Sequence, residues 1–337
     1  MSDFKAIILA GGSGERFWPL STPEKPKQFL RVFGGESLLR QSVSRLRGLV
    51  RPENVFVITS KALVAATRKE LPEVPRANIV GEPMRRDTGA AVALGVGVAS
   101  RTGGDAGSSG RNCVLGFFSS DQLATKPEKF RKAVCAAIAK AKKKDAIVTI
   151  GIKPGYPATG FGYVNPKTGV FVEKPNEAKA KAYLKKGYLW NAGMFIARSD
   201  VFTSAFAVHA PELLAVSAIR RFDDSTIRRL YDPLPRISFD YAVMEHLKNV
   251  EVVKGDFGWD DVGSYGAFDK YFPHDSRGNV REGPCTVVEA DGNICVARSA
   301  RISLLGVKNL VVVTTPDAVL VADKSRITEM KRLFKAD

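Results

Sequence analysis

The stretch KAIILAGGSGER, residues 5–16, joins an apolar, strand-like run to a glycine-rich loop. Further apolar runs of strand length lie at 54–59, 78–81, 112–118 and 146–150. Between them are segments with helical spacing of apolar residues, and Ser37 is placed to cap the first of these helices. Alternating strands and helices indicate βαβ units, and continuous apolar strands indicate burial on both faces. The sequence therefore predicts an α/β fold: a Rossmann-like, mostly parallel sheet with helices on both faces.

Two later regions depart from this alternation. Glycines and aromatic residues at 160–163, followed by a turn at 165–169, predict a β-hairpin. After about residue 275, short apolar runs follow one another at 285–288, 294–297, 309–315 and 318–322. We interpret them as a small C-terminal β unit that resembles one or two turns of a β-helix. The predicted domains are 1–270 and 275–337.

The composition is that of a globular protein, with 337 residues, 45% hydrophobic and 26% charged. No apolar run reaches the roughly 18 residues of a membrane-spanning helix, and the apolar start is too short for a signal peptide. We therefore expect a cytoplasmic protein with no membrane partner. The four cysteines lack C-x-x-C spacing, which favours free thiols in a reducing compartment.

The charge balance is strongly basic, because 51 Lys and Arg residues stand against 35 Asp and Glu, a net charge of +16. Such a balance suits anionic partners. The basic residues are scattered, however, and no zinc-finger spacing or basic region followed by heptads occurs. The charge alone is compatible with a nucleotide or a sugar phosphate as the partner, and we expect no nucleic acid.

The opening glycine loop fits neither of the two common phosphate-binding motifs. Phe17 stands where a G-x-G-x-x-G motif that starts at Gly12 needs its last glycine, and the Gly-Lys-Ser/Thr of a Walker A loop does not occur. The loop can still hold phosphate, because glycines let backbone N–H groups approach an anion and Arg16 adds a charge. An ordinary turn after a strand remains the alternative.

The continuation of the loop gives a more specific signal. Residues 11–30 read GGSGERFWPLSTPEKPKQFL, which closely resembles the signature of the mannose-1-phosphate guanylyltransferases. Other segments resemble that family over nearly the whole chain: Glu82-Pro83 with Asp87-Thr88, 119–122, 160–163, 173–175, 190–195, 240–245 and 259–264. The chain is similar to the short, single-function members, which lack an added isomerase domain.

The resemblance implies transfer of GMP from GTP to α-D-mannose 1-phosphate, with Mg²⁺ as cofactor. It implies that Arg16 and Lys27 stabilise the triphosphate and that Asp121 and Asp261 hold the metal. The residues implied for nucleotide binding are Gly11, Gly12, Ser13, Gly14, Glu82, Asp87 and Thr88. The residues implied for sugar-phosphate binding are Gly162, Glu173, Lys174 and Asn191. We expect Asp260 to face solvent, because neighbours in an extended segment point to opposite sides.

The residues alone leave alternatives open at several of these positions. Asp121 follows a predicted strand, where ligands of open α/β sheets bind, but such an acid can also cap a helix. Asp87 could pair with guanine or cap the next helix. Glu173 and Lys174 could hold a sugar phosphate or form a surface ion pair.

Departures from the family pattern keep two other functions open. Asp87 stands where many relatives have Asn, and Gln122 replaces a usual His. The alternatives are a nucleotidyltransferase for another hexose 1-phosphate, or for ATP, and a non-catalytic regulatory paralogue that binds nucleotide. The family resemblance also favours a homodimer. We expect the region after 275 to contribute to its interface, since about 60 residues bury little core alone.

Overall fold

The computed structural model of the protein describes residues 3–12, 14–101, 113–219 and 222–335. The chain divides into two compact units, one formed by Met1–Gly11 and Arg40–Trp259 and the other by Gly12–Leu39 and Asp260–Asp337. The second unit is thus built from two segments that lie far apart in the sequence. The predicted domain boundary between 270 and 275 stays a prediction.

A sheet forms the centre of the first unit. Its strands are β1 (Phe4–Ala10), β2 (Val55–Ser60), β3 (Ile79–Glu82), β4 (Val114–Ser119), β6 (Val148–Ile152), β7 (Tyr163–Val164), β8 (Phe171–Val172), β9 (Leu189–Arg198) and β10 (Glu251–Gly255). The short strands β5 (Leu123–Ala124) and β11 (Trp259–Asp260) lie outside this sheet.

The strand order is β10-β6-β9-β4-β1-β2-β3, and the antiparallel hairpin β7–β8 lies against β9. All pairs along the main order are parallel except those of β9, which runs antiparallel to both β4 and β6. The predicted strands before residue 152 and the predicted hairpin are confirmed. The antiparallel strand β9 is an addition that the sequence pattern did not predict.

Helices connect the strands and cover the sheet, which confirms the predicted mostly parallel α/β class. They are α1 (Leu38–Ser44), α2 (Val64–Glu70), α3 (Asp87–Arg101), α4 (Pro127–Lys143), α5 (Glu177–Lys185), α6 (Ser199–His209), α7 (Pro211–Ser217), α8 (Asp224–Tyr231), α9 (Phe239–Ala242) and, in the second unit, α10 (Gly266–Tyr271). In the described ranges, no helix is both long and apolar enough to cross a membrane.

Helix α3 lies at the centre of the core of the first unit, and every residue from Gly89 to Ala99 is buried. Glycines permit this close packing: a Cβ atom on Gly95 would lie 2.7 Å from the Phe117 ring, and one on Gly97 would lie 2.8 Å from the Val216 carbonyl oxygen. The helix therefore packs on sheet and neighbouring helices at distances that a side chain would prevent.

The C-terminal part of the second unit consists of short, mostly parallel strands. They are β12 (Val280–Glu282), β13 (Cys285–Val288), β14 (Ile294–Ala297), β15 (Ile302–Leu305), β16 (Leu310–Thr314) and β17 (Val319–Asp323). Strands β12, β14 and β16 stack in parallel, as do β13 and β15, while β17 closes the stack in the antiparallel sense. Parallel strands joined by short turns are the arrangement of a β-helix, as the sequence predicted.

Buried asparagines link successive turns of this stack. The Asn293 side-chain amide donates to Asn279 Oδ1 at 2.9 Å, and Asn293 Oδ1 accepts from the Leu310 backbone N–H at 2.9 Å. Asn279 in turn donates to the Ala290 carbonyl at 2.8 Å. Both asparagines are fully buried, so these bonds satisfy polar groups that would otherwise destabilise the core.

Candidate functional site

In the first unit, strands β1 and β4 end side by side. Leu9 is paired with Ser119, and the Ser120 backbone N–H donates to the Leu9 carbonyl at 3.0 Å. Gly11 follows β1 and Asp121 follows β4, so both leave the sheet at the same carboxyl edge. This edge is where open α/β sheets bind ligands.

The loop that carries Asp121 is held from several sides. Ser119 Oγ donates to Asp121 Oδ1 at 2.5 Å, and the Arg45 guanidinium donates to the carbonyl oxygens of Ser119 and Gln122, both at 3.0 Å. Burial lowers the pKa of Arg45 to about 10, and the nearby Asp121 carboxylate opposes that shift. Arg45 therefore stays charged at neutral pH.

Gln122 hydrogen-bonds two other segments of the first unit. Its Nε2 donates to the Ala192 carbonyl at 3.1 Å, and its Oε1 accepts from Trp259 Nε1 at 3.0 Å. The side chain is buried, so both bonds form away from bulk water. Gln122 thus fixes β9 beside the loop of Asp121.

Glu82 and Gly11 lie together at the edge of the sheet. Glu82 Oε2 is 3.4 Å from the place where a Cβ on Gly11 would lie, and Tyr231 Oη is 3.2 Å from Glu82 Oε1. Burial raises the pKa of Glu82 to about 8; the bond with Tyr231 lowers it and the Asp87 charge raises it. At neutral pH this carboxyl group is largely protonated, so it can donate as well as accept.

Asp87 and Thr88 begin helix α3. Asp87 has a left-handed backbone, with φ 63°, and its Oδ1 accepts from the Thr88 N–H at 2.7 Å. Thr88 Oγ1 accepts from the Phe239 N–H at 2.9 Å, which ties α3 to α9. Asp87 is exposed, so the carboxylate that bonds the start of the helix also reaches solvent.

Asn191 on β9 is the centre of a polar network. Its Nδ2 donates to Asp240 Oδ1 at 2.9 Å, and its Oδ1 accepts from Thr149 Oγ1 at 2.8 Å and from the Gly193 N–H at 3.1 Å. Burial raises the pKa of Asp240 to about 7, and the Glu173 charge contributes to that rise.

Glu173 and Lys174 lie beside this network. They form an ion pair of 3.0 Å in which the Glu173 side chain is only 7% exposed, so it is not an ordinary surface pair. A Cβ on Gly162 would lie 2.5 Å from Glu173 Oε2, and Glu245 Oε1 accepts from the Glu173 N–H at 2.6 Å. Burial raises the pKa of Glu173, although its bond with Lys174 opposes the shift.

The structure thus brings Gly162, Glu173 and Asn191 together and adds Asp240, Glu245 and Thr149, to which the sequence assigned no role. Asp240 and Glu245 lie in the segment 240–245, whose resemblance to the family could have indicated a role for them. Thr149 lies inside a buried strand, and its contact with Asn191 depends on the antiparallel pairing of β9 with β6.

In the second unit, the glycine-rich loop packs on the segment around Asp261. Gly14 has φ 68°, and a Cβ there would lie 2.4 Å from the Lys27 backbone nitrogen. The Lys27 side chain is buried, and its Nζ donates to the Asp261 carbonyl oxygen at 2.6 Å. Ser13 lies outside the described residues.

Arg16 and Asp261 meet at Gly263. Arg16 Nη1 lies 3.2 Å and Asp261 Oδ2 lies 3.4 Å from the place where a Cβ on Gly263 would lie. Arg16 is exposed and Asp261 partly so. The second unit therefore brings a guanidinium, a carboxylate and the backbone of a glycine loop together. The buried Lys27 side chain joins the loop to the Asp261 backbone.

The expectation that Asp260 faces solvent is wrong. Asp260 Oδ2 accepts from Lys270 Nζ at 2.5 Å and from the Tyr271 hydroxyl at 2.9 Å, and its Oδ1 accepts from the Val262 N–H at 2.7 Å. The side chain is 21% exposed. The expectation considered only the alternation of side chains along an extended segment. It could not include helix α10, whose Lys270 and Tyr271 donate to Asp260.

Comparisons with known proteins identify the family of the chain. The nucleotidyl transferase family model matches residues 5–277, and the mannose-phosphate isomerase/GMP-like β-helix domain model matches residues 283–336. A mannose-1-phosphate guanylyltransferase from Escherichia coli is 35% identical over 97% of this chain and 72% of its own length. The chain belongs to the mannose-1-phosphate guanylyltransferase family. It is therefore an enzyme of the nucleotidyltransferase class.

Two further relatives show how far the family likeness extends. The xanthan biosynthesis protein XanB of Xanthomonas campestris pv. campestris is 35% identical over 99% of this chain and 73% of its own length. A solved protein of Thermus thermophilus, described as a mannose-1-phosphate geranyltransferase, superposes with a TM-score of 0.86 at 33% identity, covering 99% of both chains. The family likeness thus includes the C-terminal strands β12–β17, which are called the β-helix unit from here on.

Proposed function

We propose that the protein transfers GMP from GTP to α-D-mannose 1-phosphate, producing GDP-mannose and pyrophosphate. The observation that carries this proposal is the match of guanylyltransferase relatives over 97% of the chain. The proposal is supported by the polar groups described in each unit, which are of the kinds that bind phosphates and sugar hydroxyls. The reaction needs positioning and charge neutralisation more than proton transfer, because its nucleophile, a phosphate oxygen, is already an anion.

For the sugar phosphate, we assign Gly162, Glu173, Lys174 and Asn191. Carboxylate and amide oxygens accept hydrogen bonds from sugar hydroxyls, and the Lys174 ammonium attracts the phosphate. The Asn191 amide is oriented by Asp240 and Thr149, so it meets a substrate without first reorganising. Gly162 leaves the space that a side chain would take from Glu173.

For the nucleotide, we assign Gly11, Gly12, Ser13, Gly14, Glu82, Asp87 and Thr88. Exposed backbone at Gly11 and Gly12 can approach phosphate oxygens. Glu82, being largely protonated at pH 7, offers both a donor and an acceptor to a base, and Asp87 offers an acceptor.

In the transfer, an oxygen of the sugar phosphate attacks the α-phosphorus of GTP in line, the bond to the β-phosphate breaks, and pyrophosphate leaves. Arg16 stabilises the charge of the triphosphate and of the departing pyrophosphate. Lys27 is buried against Asp261, so it contributes a fixed positive charge beneath the loop.

Asp121 and Asp261 are the residues that we propose to hold Mg²⁺. Each is a partly exposed carboxylate, which fits an ion that takes one or two protein carboxylates and keeps substrate and water oxygens. When bound, the ion would neutralise phosphate charge.

We further propose a homodimer in the cytosol. All four cysteines are free thiols, as is usual in reducing compartments. Apolar residues exposed on the β-helix unit support an assembly of two copies.

The test is a pyrophosphate-release assay over a grid of nucleoside triphosphates and hexose 1-phosphates, run with Mg²⁺ and with EDTA. We expect GTP with mannose 1-phosphate to be at least 10-fold better in kcat/KM than any other pair, and EDTA to stop release. A better rate with another pair would replace the substrates named here. A folded protein that binds GTP and releases no pyrophosphate with any pair would instead be a regulatory paralogue.

A further inference from the structure

Arg45 is a buried charged residue that the proposed reaction does not use. It follows helix α1 directly and is 5% exposed. Its guanidinium carbon lies 5.0 Å from the centroid of the Phe130 ring. Burying a guanidinium is unfavourable unless hydrogen bonds and opposite charges compensate for the lost hydration. An aliphatic side chain would pack in this place without that cost. Packing alone therefore does not explain why an arginine stands at this position.

The two hydrogen bonds of Arg45 explain the choice, because their acceptors lie on either side of Asp121 in the chain. One nitrogen donates to the Ser119 carbonyl, two residues before Asp121, and the other donates to the Gln122 carbonyl, one residue after it. The planar fork of a guanidinium can hold both oxygens at once, whereas the single nitrogen of a lysine cannot match that geometry.

Other contacts hold the same short segment. Ser42 Oγ donates to the Ser119 carbonyl at 3.4 Å, and the Ser120 N–H is fixed on the Leu9 carbonyl. Arg45 is the only one of these donors that holds both sides of Asp121. It is also the only one that carries a charge.

We propose that Arg45 is a positioning residue that fixes the Asp121 loop, and thereby the carboxylate, in the geometry that binds a divalent cation. This inference rests on the proposed metal-binding role of Asp121. The physical reason is that Mg²⁺ requires near-octahedral oxygen ligands at about 2.0–2.1 Å, so a loosened loop weakens binding even when the carboxylate is present.

The test compares Arg45→Lys and Arg45→Gln with the matched control Arg40→Lys. Arg40 lies on the preceding helix, and its guanidinium donates to the Glu70 carbonyl and forms an ion pair with Glu73. Mn²⁺ binding is measured directly, from the electron paramagnetic resonance signal of the free ion. The Mg²⁺ concentration for half-maximal pyrophosphate release, the KM for each substrate and the unfolding temperature are measured on the same samples.

We expect Arg45→Gln to bind Mn²⁺ about 10-fold more weakly and to need about 10-fold more Mg²⁺, the usual effect of losing a group that orients a metal ligand. We expect Arg45→Lys to retain more binding than Arg45→Gln, and Arg40→Lys to match wild type in metal binding. The KM for mannose 1-phosphate should change less than 2-fold.

Folded Arg45 variants with wild-type Mn²⁺ binding and Mg²⁺ dependence would overturn the proposal, whatever their unfolding temperature. Asp121→Asn is measured alongside to separate this failure from that of the proposed function. If Asp121→Asn itself binds Mn²⁺ like wild type, the metal assignment fails, and the inference about Arg45 fails with it.

Discussion

At the scale of single residues, burial moves two acids of the first unit into the neutral pH range. The pKa of Asp240 rises to about 7 and that of Glu82 to about 8, in each case chiefly because burial disfavours the charged form. A carboxyl group with such a pKa changes its hydrogen-bonding character near physiological pH. The folding stability of the protein must respond to the same titrations.

Asp240→Asn should therefore flatten the pH dependence of stability. The folded-state pKa of Asp240 lies above its ordinary value, so its contribution is fully present below about pH 4 and is lost as the pH rises to about 7. We expect the stability of Asp240→Asn relative to wild type to rise by on the order of 4 kcal/mol between pH 4 and pH 8. Urea unfolding at both pH values measures it, with the exposed Asp232→Asn as control. A constant difference across this range would contradict the prediction.

Asp121→Asn and Asp261→Asn should each reduce kcat by about 100-fold or more, because each removes a proposed metal charge at the reacting phosphates. Circular dichroism should show both variants folded. Asp260→Asn is the matched control: it should lower the unfolding temperature, through weaker bonds with Lys270 and Tyr271, and keep the Mg²⁺ dependence of wild type. Near-normal rates at limiting Mg²⁺ in either of the first two variants would remove that residue from the metal site.

Arg16→Gln and Lys27→Met should each raise the KM for GTP more than the KM for mannose 1-phosphate. We expect the KM for GTP to rise about 10-fold and that for the sugar phosphate to change less than 3-fold, as for a lost charge-assisted contact. Lys27→Met should also lower the unfolding temperature, since Lys27 is buried and bonds Asp261, whereas the exposed Arg16 should not. If the KM and kcat for GTP are unchanged in both variants, the glycine loop does not bind the triphosphate.

At the scale of elements, the glycine loop is shaped by one backbone position. Gly14 combines a left-handed φ of 68° with a would-be Cβ 2.4 Å from the Lys27 nitrogen, so no side chain fits without moving the loop. Gly12, two residues earlier, has open space around its would-be Cβ. The same loop therefore contains a constrained glycine and an unconstrained one.

Gly14→Ala should lower stability by about 1–3 kcal/mol and reduce kcat/KM for GTP, because the strained position forces the loop away from Lys27. Gly12→Ala in the same loop should leave stability within about 0.5 kcal/mol of wild type. Thermal unfolding and GTP kinetics on both variants provide the comparison. Equal effects of the two substitutions would show that the loop does not depend on this turn.

Predictions from the sequence succeeded where local pattern decides structure. The apolar runs of β1, β2 and β4 and the buried helix α3 carry their own periodicity, and the C-terminal strands β13 and β14 were predicted with their observed bounds. Strand β9 has an equally apolar sequence, but its antiparallel insertion between β4 and β6 depends on pairing between distant segments. The contacts of Asp260, Thr149 and Arg45 were missed for the same reason.

At the scale of the whole molecule, the β-helix unit exposes apolar side chains. Val319 and Val321 on β17 are each 63% exposed, and Leu305 on β15 is 73% exposed. Val288, the register partner of Leu305, is exposed as well. Exposed apolar residues grouped on one small unit are typical of a protein–protein interface.

The double variant Val319→Lys/Val321→Lys should convert the proposed homodimer to a monomer, because two buried charges without partners would destabilise an interface. Val208→Lys, on the first unit and also exposed, is the control and should stay dimeric. Light scattering coupled to size exclusion gives the mass directly. Substitution is a better test than truncation near 275, since Lys324 bonds Asp269 and deletion would disturb the rest of the unit. A double variant of unchanged mass would place the interface elsewhere.

The discontinuity of the second unit has a consequence for how the protein is made. Asp261 and Tyr265, which bond Lys27 and the Phe17 carbonyl, leave the ribosome more than 200 residues after the segment Gly12–Leu39. At about 5–20 residues per second, the nascent glycine loop waits roughly 10–45 s for its partners. During that interval the sheet of the first unit can form around the strand that precedes the loop. The nascent chain therefore completes the contacts of its proposed triphosphate loop only after more than 200 further residues have been synthesised.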